Sequence, residues 1–373
     1  MDRKLALERL EELLALHKDK TERKYRQIFE QHQEQLVEDL LAAVLKLKKY
    51  YPVRILQFQI MRTDLYQKKY RIEVCGYNKK WYQDEERTTA YVEIEFLFEP
   101  FKELWTILEA DLLKYMGAVS RYDIDNMVNE LFISCYNRSS TIIRKDFLMF
   151  DEWLMQNKKS YRKPYRVMWG DYRGRTDMLF YQDKLGKDAK ELQKACEDET
   201  KEGHQFFSFV ESDLKNISLQ QEHFAYLNMK KSNLTEVAFD RCEFGEGLFM
   251  DCVMDWCTYT DNKIYGCNFA GVKGYQLDFR GASIANTTFE GMKLRKGNFK
   301  GAELVAVDFK DCDLDECSFQ NATLSMVDLR TEKLEGIDLT GARLEQVYIY
   351  EKDMESLCLT DEQKKHVYVL AET

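Results

Sequence analysis

From Leu214 onward, every fifth residue is large and apolar. The series runs through Leu219, Phe224, Met229, Phe249, Phe269, Phe289, Phe309 and Leu339 to Leu359, and 29 of its 30 positions are apolar. The exception is Gly274, and no insertion shifts the register. A second column lies two residues earlier and is small or β-branched, as at Cys252, Cys257, Ala282, Thr287, Ala302, Val307 and Cys312. Bulky polar groups interrupt this column only at Glu222, Asn262, Glu332 and Lys352. The pattern matches neither the 3.6 period of a helix nor the alternation of a long strand. It fits a chain that turns a corner every five residues, with side chains two apart pointing to the same side.

Four such sides close a square coil of 20 residues. Stacked coils pair their backbones at ~4.8 Å, so about seven coils make a rod on the order of 35 Å long. Proline would remove a donor from such a stack, and the last proline is Pro164. Glycines at Gly271, Gly281, Gly291, Gly301 and Gly341 relax the corners. The segments CNFAG, LDFRG, AELVA, CDLDE, ATLSM, IDLTG and ARLEQ resemble the A(D/N)LXX unit of the pentapeptide-repeat family. The resemblance covers about 145 residues and implies a right-handed quadrilateral β-helix. It implies less about function: some family members act as dimeric DNA mimics on DNA gyrase, and others have no assigned role. It does not reach residues 1–200.

The first part of the chain follows other rules. Leu7, Leu10 and Leu14 share one helical face, and Tyr25, Ile28, Phe29, Leu36, Leu40 and Val44 share that of a second helix ended by Pro52. Alternating runs at Leu56/Phe58/Ile60, Tyr70/Ile72/Val74 and Val92/Ile94/Phe96/Phe98 predict an antiparallel meander with one buried face. Helices are expected at 101–117, at 122–137 behind a Ser120-x-x-Asp123 capping signal, and at 140–157. A hairpin is expected at 165–182 and a charged helical linker at 183–203. The expected organisation is an α+β domain over 1–205, the β-helix over 206–359, and a C-terminal cap over 360–373 opened by a Thr360-to-Gln363 capping box.

Charge separates the same two regions. Residues 1–200 carry 36 Lys and Arg against 35 Asp and Glu, and residues 201–373 carry 19 against 30. No run of 18 apolar residues suggests a membrane helix, and the acid-rich amphipathic N-terminus lacks a secretory pattern. The expected setting is cytoplasmic, without a membrane partner.

Candidate chemistry is sparse. Cys242, Cys252, Cys257, Cys267, Cys312 and Cys317 occupy the small inward column, where a free cysteine packs as a small hydrophobe. The five histidines are scattered, and no phosphate loop, dinucleotide fingerprint or nucleophile elbow is present. Glu93 and Glu95 read as a solvated strand face. We therefore assign no catalytic, cofactor-binding or metal-binding residue at this level.

Three surfaces remain. One solenoid face gathers Asp313, Asp315, Glu316, Glu335, Asp353 and Glu355, with Lys293, Arg295 and Lys296 one coil earlier. It is either an anionic partner face or a cross-paired solubilising one. Outward apolar residues in the early coils (Leu248, Met250, Val253, Trp256, Tyr265, Tyr275) suggest contact with the first domain or a partner. Residues 158–175 interleave Lys158, Lys159, Arg162, Lys163, Arg166, Arg173 and Arg175 with aromatics that include Trp169, a pattern that suits nucleic acid. Its bland counterpart is a hairpin with buried aromatics and solvated arginines. The leading expectation is a non-enzymatic interaction protein with a protein partner. The alternatives are a DNA-mimic modulator of gyrase or another type II topoisomerase, with a second copy of the chain as a further partner, and an enzyme within residues 1–200.

Overall fold

The computed structural model describes residues 3–48, 51–115, 117–183, 187–197 and 204–371. They form two compact units, 1–183 and 184–373. The division falls at 183/184 and not at 205/206, so the predicted linker goes with the second unit; its residues 184–186 and 198–203 lie outside those described. The linker's helix spans Ala189–Cys196, and its Leu192 lies in the apolar interior of the second unit.

The first unit is built from α1 (Arg3–Gln31), α2 (Gln33–Lys46), β1 (Ile55–Ile60), α3 (Arg62–Tyr66), β2 (Arg71–Tyr77), β3 (Thr88–Glu93), α4 (Glu95–Leu112), α5 (Arg121–Arg138), α6 (Ser140–Ile143), α7 (Phe150–Gln156), β4 (Tyr165–Asp171) and β5 (Thr176–Gln182). The strands make one sheet in the order β3-β2-β1-β4-β5. β1 is antiparallel to β2 and parallel to β4. The predicted hairpin at 165–182 therefore extends the predicted meander. Leu56, Phe58, Ile60, Ile72, Val74, Val167 and Trp169 face the helices and share their apolar core.

Several expectations change here: Tyr25, Ile28 and Phe29 belong to α1, which runs unbroken to Gln31, and the helix expected at 140–157 is split into α6, a 3-10 turn and α7. The third alternating run ends at Glu93, and Phe96 and Phe98 belong to α4, because their spacing also serves a helical face. The sheet is also buried on both faces at β1 and β2. Its second face carries Gln57, Gln59 and Glu73, which pair with each other and with a turn folded over them. Trp81 Nε1 donates to Gln57 Oε1 at 2.9 Å, Gln57 Nε2 to the Tyr82 hydroxyl at 2.9 Å, and Gln59 Nε2 to Glu73 Oε2 at 2.7 Å. Polar residues that alternate along a strand read as solvated; here hydrogen bonds offset their desolvation.

The second unit opens with α8 (Ala189–Cys196) and continues as a solenoid of about eight turns, with eight strands spaced 20 residues apart in one parallel sheet. Phe249–Phe269, Phe269–Phe289 and Phe289–Phe309 stack at 4.5, 5.0 and 4.9 Å, and Tyr259–Phe279, Phe279–Phe299 and Phe299–Phe319 at 5.1, 4.9 and 4.7 Å. Two aromatic columns thus run up the interior at the strand spacing. Gly274 is compensated by Leu277, whose Cδ1 would lie 2.1 Å from a β-carbon at Gly274. The cysteines behave as packed thiols. Cys252 Sγ donates to the Met229 carbonyl at 2.8 Å and Cys312 Sγ to the Phe289 carbonyl at 3.0 Å.

Corner residues, two after each large inward one, take left-handed backbone conformations, glycine or not: Gly281 at φ 67°, Trp256 at 55°, Lys296 at 58°. One corner fails. Thr331 turns inward and Glu332 outward, which keeps the Glu332 carboxylate out of the small column. The last coil departs from the regular geometry, while Leu357 and Leu359 stay in the apolar interior. After a final strand at Val347–Tyr350, residues Glu351–Asp353 form a 3-10 turn. The cap contains the expected helix α9 (Asp361–Lys364) behind the Thr360 capping box, and a strand, Val367–Leu370, parallel to Val347–Tyr350. That strand covers an edge that would otherwise stay open.

Candidate interaction surface

One side face of the solenoid is a continuous ladder. Val253 bridges Lys273, the strands at Lys273–Tyr275 and Lys293–Arg295 pair, Lys293 bridges Asp313, and Asp313 bridges Lys333. Corner residues Trp256, Gln276, Lys296 and Glu316 run beside it. Read along the rod, the face is first aromatic, then basic, then acidic.

The aromatic end is fixed in place. Trp256 is 49% exposed, yet its Nε1 donates to Gln276 Oε1 at 3.0 Å and its ring meets Tyr275 edge-on at 5.9 Å. Lys296 Nζ lies 5.8 Å from the centre of the Tyr275 ring. The six outward apolar residues do not form one patch. Val253, Trp256 and Tyr275 share this face, whereas Tyr265 lies in the ladder of Gly245 and Ala285. Leu248 is buried and Met250 is half-buried. A coil of four sides distributes neighbours in sequence over different faces.

The acidic end is largely committed. Asp313 Oδ1 accepts from the Asp315 backbone N–H at 3.3 Å, and Oδ2 lies 3.4 Å from Lys333 Nζ. The same Asx bond recurs at Asp308, Asp328 and Asp338, so an acid before the large residue holds the turn. Glu316 sits 3.6 Å from Lys296 and 3.9 Å from Arg295. Burial, then the charge of Asp313, push the Asp315 carboxyl up. Asp353 belongs to the terminal 3-10 turn, with Glu355 just after it; both lie after the strand Val347–Tyr350, where the chain leaves the strand-and-corner geometry of the earlier coils. The expected face is therefore shorter and more neutralised.

The basic–aromatic stretch comes apart. Trp169 is fully buried, stacked on Tyr136 at 4.3 Å, and donates Nε1 to the Tyr136 carbonyl at 2.6 Å. Lys159 Nζ donates to the carbonyls of Val44 and Leu47 at 2.7 and 3.2 Å, closing the end of α2. Lys163 pairs with Asp151 at 2.9 Å, and Arg175 lies 3.5 Å from Asp177. Lys158, Arg162, Arg166 and Arg173 are exposed cations, with the Arg173 guanidinium over the Tyr172 ring. Alternate residues of a buried strand point into the core, which sequence spacing alone does not separate from a stacking platform.

Other chemistry is quiet. Burial raises the thiols of Cys252, Cys257, Cys267, Cys312 and Cys317 to about 12, so none of these is a ready thiolate nucleophile. An open cavity of about 530 Å³ in the first unit is lined by Asp19, Glu22, Arg26, Tyr25, Arg138 and Ser139, among others. Three of its charged groups are paired, Arg138 with Glu22 at 2.7 Å and Arg26 with Glu30 at 2.8 Å. Sequence reading missed one cluster, Cys196, His204 and Glu222, whose ligand-type atoms lie within 4.8 Å of one another. Its signal was Glu222, a bulky acid in a small inward column. No helix among the described residues is long and apolar enough to cross a membrane.

Residues 282–358 match the family model described as a pentapeptide repeat region. No curated protein matches the chain. Among solved structures, it is similar to HetL, a pentapeptide repeat protein involved in heterocyst differentiation regulation from Nostoc sp. strain PCC 7120, at 14% identity over 43% of this chain and 96% of that one, TM-score 0.18. It is similar to QnrB1, a plasmid-mediated fluoroquinolone resistance protein, at 12% identity over 45% and 83%, TM-score 0.23. A pentapeptide repeat protein from the Arabidopsis thaliana thylakoid lumen matches at 20% identity over 28% and 72%, TM-score 0.18. With a single five-residue register running from Leu214 through the matched segment, the second unit is a pentapeptide-repeat solenoid, joined to a first unit that no family model matches.

Proposed function

We propose that this chain is a non-enzymatic interaction protein whose solenoid presents the Trp256–Tyr275–Lys296 stretch of its side face to a protein partner. The supporting observation is the immobilised, exposed Trp256, hydrogen-bonded through Nε1 to Gln276 and braced by Tyr275. A preordered indole with cations beside it suits a binding hot spot, because little side-chain entropy remains to be lost on association. Capture from the native host with the wild-type chain and with Trp256→Ala, compared quantitatively, tests this reading. It fails if both retain the same proteins equally.

A second reading is a DNA-mimic modulator of a type II topoisomerase. Exposed acids at Glu316 and Glu335 support it. The cations paired with Asp313 and Glu316 weaken it, since a mimic needs unneutralised charge. A gyrase supercoiling and quinolone-protection assay separates the two readings: no effect at micromolar protein removes the mimic. An enzyme within residues 1–200 has the polar-lined cavity in its favour, and the pairing of three of that cavity's charged groups against it.

A further inference from the structure

Two residues break the solenoid's register at its first coil. His204 pairs with Phe224, so it stands where Phe224, Phe244 and Ile264 place large apolar side chains. Glu222 stands in the small inward column, 20 residues before Cys242. The third residue, Cys196, ends α8, which packs through Leu192 onto the apolar interior. Polar groups at positions that otherwise take Phe and Cys call for a compensating interaction.

They have only part of one. His204 is 3% exposed, and its Nε2 lies 2.7 Å from Glu222 Oε2. Its Nδ1 is buried with no hydrogen-bond partner among the described residues. A thiol, an imidazole nitrogen and a carboxylate oxygen nonetheless converge within 4.8 Å.

We infer that Cys196, His204 and Glu222 bind one zinc ion, which ties α8 to the first coil. The donor set selects the metal: sulfur with imidazole and carboxylate suits Zn²⁺, whereas Ca²⁺ and Mg²⁺ take oxygen ligands. Tetrahedral zinc with bonds of about 2.0–2.3 Å spaces its ligands about 3.3–3.8 Å apart. The three atoms reach that spacing by small side-chain movements. Glu222 moves away from His204, and its side chain, 22% exposed, has room to do so. On binding, the Cys196 S–H bond breaks, its proton passes to solvent, and the thiolate bonds to the metal. Water fills the fourth position. A nucleophilic triad would instead need a hydrogen bond from Cys196 to the imidazole. Nδ1 has no partner among the described residues and Nε2 faces Glu222, so Cys196 makes no such bond.

The test is titration of the purified, chelator-stripped full chain with Zn²⁺ and Co²⁺. One ion per chain should bind at micromolar concentration or below. Co²⁺ should give tetrahedral visible bands and a thiolate charge-transfer band. Cys196→Ser should abolish that band and weaken Zn²⁺ binding at least tenfold, and Glu222→Gln should weaken binding at least tenfold. Zinc should raise the Tm of the wild type and not of Cys196→Ser. Glu222→Gln, at a partly exposed side chain, keeps the test available if the cysteine variant does not fold. Absence of saturable binding, or an unchanged cobalt spectrum and affinity in either folded variant, overturns the inference.

Discussion

The indole Nε1 of Trp256 donates a 3.0 Å hydrogen bond to Oε1 of Gln276, the residue at the equivalent corner one coil later. The bond joins two coils at the surface, yet about half of the indole stays exposed. Little apolar area is therefore lost when the indole is removed. Trp256→Ala should lower stability by no more than about 1 kcal/mol, typical of one partly exposed hydrogen bond, as read from urea denaturation. Its effect should appear in binding.

The interior offers the opposite case. Phe289 is fully buried between Phe269 and Phe309 in one aromatic column. Phe289→Ala should cost about 3–5 kcal/mol, the usual range for deleting a buried aromatic ring. A urea midpoint within error of the wild type would mean that the columns do not carry the fold.

Trp169 separates two accounts of the basic stretch. As a core residue stacked on Tyr136, its replacement by Ala should destabilise the first unit by about 3–5 kcal/mol. As a nucleic-acid platform, its loss would weaken binding and leave stability intact. Thermal unfolding of Trp169→Ala decides, and the four-arginine variant at 162, 166, 173 and 175 should show no salt-dependent loss of DNA affinity.

The thiols set an alkaline limit. Burial raises those of Cys252, Cys257, Cys267, Cys312 and Cys317 from near 9 to about 12 in the folded chain. Between those values the unfolded chain gives up protons that the folded chain keeps, so stability falls as pH rises. The loss should be on the order of 1 kcal/mol per thiol at pH 10. Urea midpoints should decline from pH 9 upward, with a shallower decline in Cys252→Ala/Cys257→Ala.

The solenoid was legible because its period is a physical constraint on every coil: a wrong residue at Phe269 or Cys257 would meet neighbours on all sides. Even its exceptions were informative. Gly274 is matched by Leu277, Glu332 is turned outward, and Glu222 points to the cluster with His204. The faces were less legible, because which outward residues share a side depends on corner geometry: Trp256 and Tyr275 do, and Tyr265 does not. In the first unit, Gln57, Gln59 and Glu73 read as solvent-facing because nothing local reveals the turn carrying Trp81 and Tyr82 that bonds to Gln57. For Trp169 the sequence left an exposed platform and a buried aromatic both open; the structure gives the buried one, and the burial comes from α5, distant in sequence.

The most direct test of the interaction surface is the affinity of the captured partner, purified, for the wild-type chain and for Trp256→Ala, measured by titration calorimetry. Loss of a central aromatic anchor should weaken binding by at least about 2 kcal/mol, roughly 30-fold in Kd, while circular dichroism and Tm stay near wild type. Equal affinities for the two folded proteins would contradict the account.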